Sequence, residues 1–303
     1  MRAKYDKLDD YKEFDNEKPD EEFFDEERAL YNLTDGEVKN CRFEGPADGE
    51  SALKEASDIK VRGCLMNLRY PFWHVTDAKI SGSTLTENCR AALWYDRNIE
   101  IEDCRINGIK AIRECENVSL KNCVVDSPEF IWKCRNMTVS GVEILGSEYP
   151  FFEVDGAKIS NLKMKGKYSF QYCSGIEISD SNLDTKDAFW HSKNVTVRNS
   201  VVKGEYLGWY SENLKLVDCT IIGTQPFCYC KNLVLENCVM EGCDLSFERS
   251  SVSAVVKGKI DSVKNPLSGR IEADCIGKLI VEDSVVDKAK TDIVCADIGC
   301  QCA

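Results

Sequence analysis

The sequence predicts an all-β fold: a right-handed, single-stranded parallel β-helix of roughly a dozen coils with a helical N-terminal cap. Three observations carry this prediction: a repeat of about 19 residues, short alternating strands within it, and turn-forming residues at fixed positions. A repeat this short cannot bury its apolar side chains alone, so it must stack on its neighbours, about 4.8 Å per rung. The leucine-rich repeat has a similar length, but its L-x-x-L-x-L signature is missing.

The repeat is defined by ten lead residues, each Asn, Asp or Gly and each 19 to 21 residues after the one before. The leads are Asp58, Asp77, Asn98, Asn117, Asn136, Gly156, Gly175, Asn194, Asn213 and Asn232. The side chains one and three positions after each lead are apolar, which is the alternation of a strand with one buried face. The fifth position is always Gly, Asn or Asp, and these residues tolerate left-handed turns. Each coil is therefore predicted to contain strands separated by tight turns.

The acidic first 30 residues lie outside the repeat. Pro19 followed by "DEEFFDEERAL" predicts a helix with acids in its first turns, which would cap the open edge of the first coil. The expected organisation is a cap over 1–30, a β-helix over 31–285 and a C-terminal cap or tail over 286–303. The repeat is interrupted at 263–273, but no Gly-, Pro- or polar-rich linker separates the coils. We therefore expect one continuous domain.

The bulk composition excludes several function classes. The net charge of −13 argues against nucleic acid and anionic membrane as partners, because both require basic surfaces. No apolar run approaches the roughly 18 to 20 residues of a membrane span. The first 30 residues contain no apolar signal core, so we expect no secretion signal and a cytoplasmic protein. The oligomeric state is not indicated.

The 17 cysteines are odd in number and recur at fixed positions of the repeat. At those positions Cys exchanges with Ser, Val, Ala and Leu, which favours small buried side chains with reduced thiols. Cys295, Cys300 and Cys302 lie off the repeat, and their alternative roles are a soft-metal site or redox cycling. No fourth ligand at a defined spacing accompanies them. We therefore expect no metal site and no cofactor.

The third strand of each coil carries the candidate site. The residue five before each lead is almost always apolar and is predicted to point inward, as in Leu53, Phe72 and Leu93. The next position mixes Trp with Lys, Arg and Gln, which a dry core excludes because an unpaired buried charge is costly. The position after that also carries polar groups. Two adjacent outward columns require a bend or bulge in the chain at this point.

The first coils gather cations, acids and aromatic rings on this outward face, and one of the two histidines, His74, lies here; the other, His191, recurs in the same column later in the chain. Flat rings beside charged groups are typical of sites for an extended polar ligand such as a saccharide, or for an acidic small molecule. The candidate ligand-binding residues are Lys54, Arg69, Tyr70, Trp73, Arg90, Trp94, Tyr95, Lys110, Arg113 and Trp132. The candidate catalytic residues are His74, Glu55 and Glu114, because an imidazole beside carboxylates can exchange protons near neutral pH.

Three functions stay open at this point. The first is an enzyme acting on a saccharide or an acidic small molecule. The second is a non-catalytic binding module that uses Trp73, Trp94 and Trp132 as a stacking platform. The third is a structural or scaffolding solenoid in which the rings only stabilise the sheet. Clustered cations favour the first two, unless Glu50, Glu55 and Glu114 neutralise them internally.

Five local motifs together resemble a known family. They are "GESALKE" (49–55), "RYPFWH" (69–74), "RAALWY" (90–95), "IKAIRE" (109–114) and "KNPLSGRI" (264–271). The chain resembles, over about residues 30–285, an uncharacterised bacterial family of right-handed β-helix proteins known as a domain of unknown function. The resemblance implies a pectin-lyase-like fold and a free-standing protein, and it implies no activity. The chain lacks the clustered aspartates of polygalacturonase-like hydrolases and the calcium-binding aspartates of pectate lyases.

Overall fold

The computed structural model describes residues 22–44 and 50–298. The chain divides into two compact units, residues 1–150 and residues 151–303. In each unit the regular structure is β-strands paired in parallel, and the helix among the described residues is a 3₁₀ turn at Lys288–Lys290. The predicted all-β parallel solenoid is confirmed, with about 14 turns in the described chain. The right-handed winding and the single continuous domain stay predictions.

Unit 1 is built from strands of two to six residues. They are β1 (Phe23–Phe24), β2 (Thr34–Lys39), β3 (Arg42–Phe43), β4 (Ser57–Arg62), β5 (Leu65–Met66), β6 (Phe72–Trp73), β7 (Thr76–Ser81), β8 (Thr84–Leu85), β9 (Leu93–Trp94), β10 (Arg97–Glu102), β11 (Arg105–Asn107), β12 (Ile112–Arg113), β13 (Glu116–Lys121), β14 (Val124–Asp126), β15 (Arg135–Ser140) and β16 (Glu143–Glu148). The first strand of each coil pairs in register with the first strand of the next. Equivalent residues are thereby stacked into columns, such as Thr76, Arg97, Glu116 and Arg135.

The lead residues of unit 1 have two physical roles. Each lies in the left-handed region, with φ of 57° at both Asp77 and Asn98, which suits Asn and Asp better than bulkier residues. Their side chains also form a ladder between coils: the Asn98 amide donates to Asp77 at 2.8 Å, and the Asn117 amide donates to Asn98 at 2.9 Å. The apolar side chains that follow, such as Ile99, are buried. The repeat pattern thus predicts both the turn and the buried face correctly.

Unit 2 contains the same kinds of strand and ends with four longer ones of 8 to 14 residues. They are β17 (Asp155–Ser160), β18 (Lys163–Lys167), β19 (Ser174–Ser179), β20 (Asn182–Lys186), β21 (Lys193–Arg198), β22 (Val201–Lys203), β23 (Glu212–Val217), β24 (Thr220–Ile222), β25 (Leu233–Glu241), β26 (Ser251–Lys264), β27 (Ser268–Ile280) and β28 (Thr291–Ile298). The predicted interruption at 263–273 corresponds to the short break between β26 and β27. Strand β28 pairs in parallel with β27, so parallel pairing extends past residue 285.

The core of unit 2 contains a stack of phenylalanines at the inward position of the third strand. The rings of Phe151 and Phe170 lie 4.7 Å apart, and those of Phe170 and Phe189 lie 5.2 Å apart, with interplanar angles of 11° and 13°. All three side chains are buried. In unit 1 the same position holds the buried side chains of Leu53 and Phe72. The predicted inward column is therefore confirmed in each unit.

The start of the described chain differs from the prediction. The helix expected after Pro19 is not shown: residues 22–30 form strand β1 and turns, and the rest of the expected cap lies outside the described residues. Phe24 is buried and stacks on Phe43 at 4.9 Å, so pairing with β3 competes successfully with helix formation. Strand β2 belongs to an additional coil with Asp35 at the lead position, which the 23-residue spacing to Asp58 concealed.

The cysteines are buried in unit 1 and unit 2 as predicted. Thirteen of the free thiols in the described residues are buried, and Cys295 is half-buried. Burial raises the pKa of Cys173 to about 12 and that of Cys230 to about 11, so both stay thiols at neutral pH. The expectation that every thiol is reduced is wrong at Cys275, which forms a disulfide. Cys300 and Cys302 lie outside the described residues.

Candidate functional site

Two of the tryptophans of unit 1, Trp73 and Trp94, form a closed stack with two cations. Strands β6, β9 and β12 pair with one another, which places Trp73 beside Trp94 and Trp94 beside Arg113. The two indole rings are 5.2 Å apart and 11° from parallel. Nζ of Lys54 lies 4.0 Å from the ring centre of Trp73, and Cζ of Arg113 lies 4.9 Å from that of Trp94. Both indoles are covered on two sides, so neither presents a free face for a sugar ring.

The other predicted ligand-binding residues lie at the start of the same strands. The Tyr70 ring is tilted against Trp73 and Trp94, at 6.0 and 5.6 Å. Arg69 pairs with Glu50 at 3.2 Å. Arg90 is exposed. The structure therefore brings Tyr70 into the aromatic stack and places Arg69 beside an acid.

Lys110 and Trp132 form a separate contact. Nζ of Lys110 lies 3.0 Å from Glu129 and 5.3 Å from the ring centre of Trp132. The indole Nε1 of Trp132 donates to the backbone carbonyl of Tyr149 at 2.9 Å. Acids of the protein thus neutralise much of the positive charge of the cation cluster. This is the internal neutralisation that the sequence left open as an alternative to a ligand.

A column of left-handed residues follows the tryptophan column. The φ angles are 61° at Glu55, His74 and Tyr95 and 54° at Glu114 and Lys133. A left-handed residue reverses the alternation of the strand, so this column and the preceding one both point outward. The bend that the sequence required is therefore confirmed, and non-glycine residues adopt it on successive coils.

The three predicted catalytic residues do not form one hydrogen-bonded group. The His74 imidazole lies against the rings of Trp73 and Tyr95, at 5.9 and 5.2 Å, and no carboxylate within the described residues bonds to it. Glu55 instead accepts a hydrogen bond of 2.5 Å from the Tyr31 hydroxyl. That bond raises the pKa of Tyr31. Stacking on the Tyr95 ring has taken the place of the expected contact with carboxylates.

Glu114 is the most heavily bonded of the candidates. Its carboxylate accepts hydrogen bonds from Arg113 at 2.7 Å and from Nε1 of Trp94 at 3.3 Å. Burial by itself would raise the pKa of Glu114, but hydrogen bonds from Tyr95, Arg113 and Trp94 outweigh it and hold the pKa below its ordinary value. The hydrogen bond between Tyr95 and Glu114 raises the pKa of the Tyr95 hydroxyl. Glu114 is therefore an anion at neutral pH and a hydrogen-bond acceptor.

A cavity of about 450 Å³ opens beside this column at the corner between the third strand of one coil and the first strand of the next. We call it the corner cavity. It is lined by His74, Thr76, Tyr95, Arg97, Glu114, Cys115, Glu116, Lys133 and Arg135. Three of these residues, His74, Tyr95 and Glu114, were predicted from the sequence. The structure therefore separates the predicted site into a closed tryptophan stack and an open cavity next to it.

Sequence reasoning missed the wall of the cavity formed by the first strands. This column reads Ser57, Thr76, Arg97, Glu116 and Arg135, all in register. The available signal was the change from small hydroxyl residues to alternating charges in three successive coils.

Asp96 was also missed, although it breaks the pattern of its column. The equivalent residues are small, such as Val75 and Cys115, whereas Asp96 is fully buried. One carboxyl oxygen accepts from the backbone N–H of Val75 at 2.8 Å, and the other has no hydrogen-bond partner among the described residues. Burial raises the pKa of Asp96 well above its ordinary value, so this carboxyl favours its neutral form. It lies one coil before Cys115, which lines the corner cavity.

No group of three or more His, Cys, Asp or Glu side chains in the described ranges is arranged to hold a metal ion. None of the described residues forms a helix long and apolar enough to cross a membrane.

Residues 17–294 match the family described as "Protein of unknown function (DUF3737)", and the chain belongs to that family. No curated protein matches it. Among solved structures it is similar to HetL, a pentapeptide repeat protein involved in heterocyst differentiation regulation from the cyanobacterium Nostoc sp. strain PCC 7120. The identity is 11% and the TM-score 0.28, with 75% of this chain and 92% of HetL covered. A mutant of the periplasmic alginate epimerase AlgG is also similar, again with 11% identity and a TM-score of 0.28. The similarity covers 88% of this chain and 77% of the AlgG chain. Similarities this low carry no conclusion about activity.

Proposed function

We propose that this member of the DUF3737 family is a binding protein that holds a small polyhydroxylated, sugar-sized ligand in the corner cavity of unit 1. The observation that supports the proposal is the cavity itself. Its volume of about 450 Å³ is within the range of small-molecule sites, roughly 300 to 1,000 Å³. Its lining supplies hydrogen-bond donors and acceptors on neighbouring coils.

The polar groups of the lining match the needs of a polyol. Glu114 and Glu116 offer carboxylate oxygens that accept hydroxyl protons, and Thr76 offers a hydroxyl that both donates and accepts. The exposed Tyr95 ring adds apolar surface. The face of Trp94 is closed by Trp73 and Arg113, so the ligand contacts the cavity rather than a tryptophan platform.

The contacts favour binding over catalysis. Glycoside hydrolysis needs one carboxyl that is protonated near the working pH beside a second one that is ionised. Glu114 has a lowered pKa, and Glu55 is bonded to Tyr31. Asp96 has a raised pKa but is fully buried. The acid and base roles predicted for His74, Glu55 and Glu114 therefore gain no support from their surroundings.

A structural solenoid is the second candidate function, and one observation favours it. Lys54, Trp73, Trp94 and Arg113 form a stack whose ring faces are fully used within the protein. Such stacked pairs stabilise a sheet by about 0.2 to 1 kcal/mol each, without any ligand. This candidate explains the tryptophan column but leaves the charged lining of the corner cavity without a role.

The test is calorimetric titration of the full chain with a panel of neutral and acidic mono- and disaccharides. Tyr95→Ala removes a ring that lines the cavity, and we expect it to lower affinity at least about tenfold, the effect of losing roughly 1.4 kcal/mol. Tyr210→Ala is the matched control, because Tyr210 occupies the same column in unit 2 and is 46% exposed, against 43% for Tyr95. If no saccharide binds the parent, the structural solenoid is the better account. If the parent binds a saccharide and both variants bind it equally well, the corner cavity is not the binding site and the proposal is wrong.

A further inference from the structure

We propose that the ligand of the corner cavity carries an anionic group, a carboxylate or a phosphate, and that Arg135 is the residue that binds it. This inference rests on the proposed function and specifies the chemical class of the ligand. It follows from the charges in the cavity, from their order along the stacked coils and from the lack of an ion-pair partner for Arg135 among the described residues.

The acids of the cavity are already matched by other cations. Glu114 bonds to Arg113, which does not line the cavity. Glu116 lies 4.0 Å from Arg97. Arg135 has no ion pair within the described part of the chain. The cavity therefore has an excess of positive charge, in a protein whose net charge is −13.

The cationic groups are concentrated at one end of the cavity. Lys133 and Arg135 belong to the same coil and flank the buried Cys134, so both side chains lie on the outer surface. Glu116 is the register partner of Arg135, one rung away at about 4.8 Å. At the opposite end are His74 and Thr76. A ligand with an acidic group at one end and hydroxyls at the other would match this order.

The guanidinium of Arg135 has the chemistry for this role. Its planar N–H groups bind carboxylate or phosphate oxygens in pairs, which gives both affinity and a fixed orientation. A neutral sugar would leave this cation without a counter-charge. The structure thus favours a hexuronate-like or sugar-phosphate-like ligand over a neutral saccharide.

The experiment compares three probes of similar size, glucuronate, glucose 6-phosphate and glucose, by calorimetric titration at low ionic strength. For the parent we expect at least one of the two anionic probes to bind more tightly than glucose. Arg135→Gln is expected to weaken that probe by about tenfold to a hundredfold, the usual effect of losing one charged hydrogen-bonding partner. Glucose should be unaffected. Arg135→Lys should restore affinity in part, because it returns the charge without the paired geometry.

Arg105→Gln is the matched control. Arg105 is also exposed in unit 1 and has no ion pair within the described residues, but it does not line the cavity. If it weakens the anionic probe as much as Arg135→Gln does, general electrostatics explains the binding and the inference fails. If glucose binds as tightly as both anionic probes and Arg135→Gln changes nothing, while Tyr95→Ala still lowers affinity at least about tenfold, the inference is wrong and the proposed function stands. If none of the probes or saccharides binds, both fall.

Discussion

Two stacked tryptophan pairs, Trp190 and Trp209 in unit 2 and Trp73 and Trp94 in unit 1, occupy the same repeat positions but satisfy their indole N–H groups differently. In unit 2, Trp190 and Trp209 stack at 5.4 Å, and their indole N–H groups donate to the backbone carbonyls of Tyr206 and Gln225. In unit 1, the Trp94 indole donates to the side chain of Glu114 instead. The buried Nε1 of Trp73 has no hydrogen-bond partner in the part of the chain that the structure describes. The indole N–H groups of the unit 2 stack are thus satisfied by the backbone, whereas the unit 1 stack donates to a residue that lines the corner cavity.

The left-handed column shows the same contrast. In unit 2 the column is an unbroken ladder of four rings, with centres 4.8 to 5.1 Å apart and interplanar angles of 5° to 8°. The rings are those of Tyr172, His191, Tyr210 and Tyr229. In unit 1 the ring ladder ends at Tyr95, and Glu114 and Lys133 follow. A repeat position therefore decides where a side chain points, and the residue type decides whether neighbours close over it or leave a cavity.

The largest expected effect comes from removing one indole from each unit. Trp209→Ala and Trp94→Ala should each lower the free energy of unfolding by about 2 kcal/mol, less than the 3 to 5 typical of a fully buried Trp because both rings are half-buried. Only Trp94→Ala should also weaken ligand binding, because Glu114 loses a donor. Denaturant unfolding and titration calorimetry measure the two effects. Equal loss of binding in both variants would remove the distinction between the units.

The next largest expected change in the free energy of unfolding comes from replacing Asp96. Asp96→Ser should raise the free energy of unfolding by about 1 kcal/mol, because it removes a buried oxygen that no described residue bonds to. A serine can keep the bond to Val75, as the Ser250 hydroxyl accepts from the Cys230 N–H at 2.8 Å in unit 2. No equivalent substitution can be made in unit 2, because the repeat position of Asp96 is already occupied there by small residues such as Ser and Cys.

The pH dependence of Asp96 has a definite sign. Its folded pKa is raised, so above the ordinary carboxyl value of about 3.9 the folded state holds a proton that the unfolded state has released. Stability should therefore fall as pH rises from about 4 through the folded pKa, and Asp96→Ser should remove this part of the slope. Urea unfolding of parent and variant across this range gives the comparison, with Asp96→Asn as a second non-titrating variant. Parallel pH profiles for all three would contradict the prediction.

The smallest expected change in the free energy of unfolding comes from replacing Glu114. Its folded pKa is lowered, so its contribution is present above the ordinary glutamate value of about 4.3 and is lost as pH falls through the folded pKa. Because the side chain is partly exposed, Glu114→Gln should cost less than about 1 kcal/mol at neutral pH. Glu100→Gln, an exposed ion-paired glutamate on strand β10, is the control. A loss of several kcal/mol would show that Glu114 supports the fold rather than the cavity.

Much of the fold was predictable because the repeat is almost regular. The Asn, Asp and Gly leads, the inward apolar columns and the small buried cysteines each follow from a constraint repeated on every coil. The coil led by Asp35 escaped because its spacing is longer, and the helix after Pro19 was predicted from local preference while strand pairing of Phe24 prevailed. The disulfide at Cys275 lies in strand β27, where the repeat had already been interrupted.

Less of the site was predictable. The sequence placed His74, Tyr95 and Glu114 on one outward column, and the structure agrees. It did not show that Arg97, Glu116 and Arg135 face them across a corner, since those residues belong to a different strand of each coil. It also gave Asp96 no special place, because a single acid among small residues looks like a variation until its burial is known.

The sequence by itself determined the period, the register and the direction of each column, since parallel stacking requires equivalent residues to meet and the period can be counted along the chain. Only the tertiary structure decided which side chains are covered or paired by their neighbours and which remain accessible to a ligand. Lys54 and Arg113 cover the indole faces, Glu114 takes its hydrogen bonds from three neighbours, and Arg135 faces the cavity without an ion-pair partner in the described residues. The physical reason is that pairing between side chains depends on distances of a few ångströms between coils, and a one-dimensional spacing does not contain those distances.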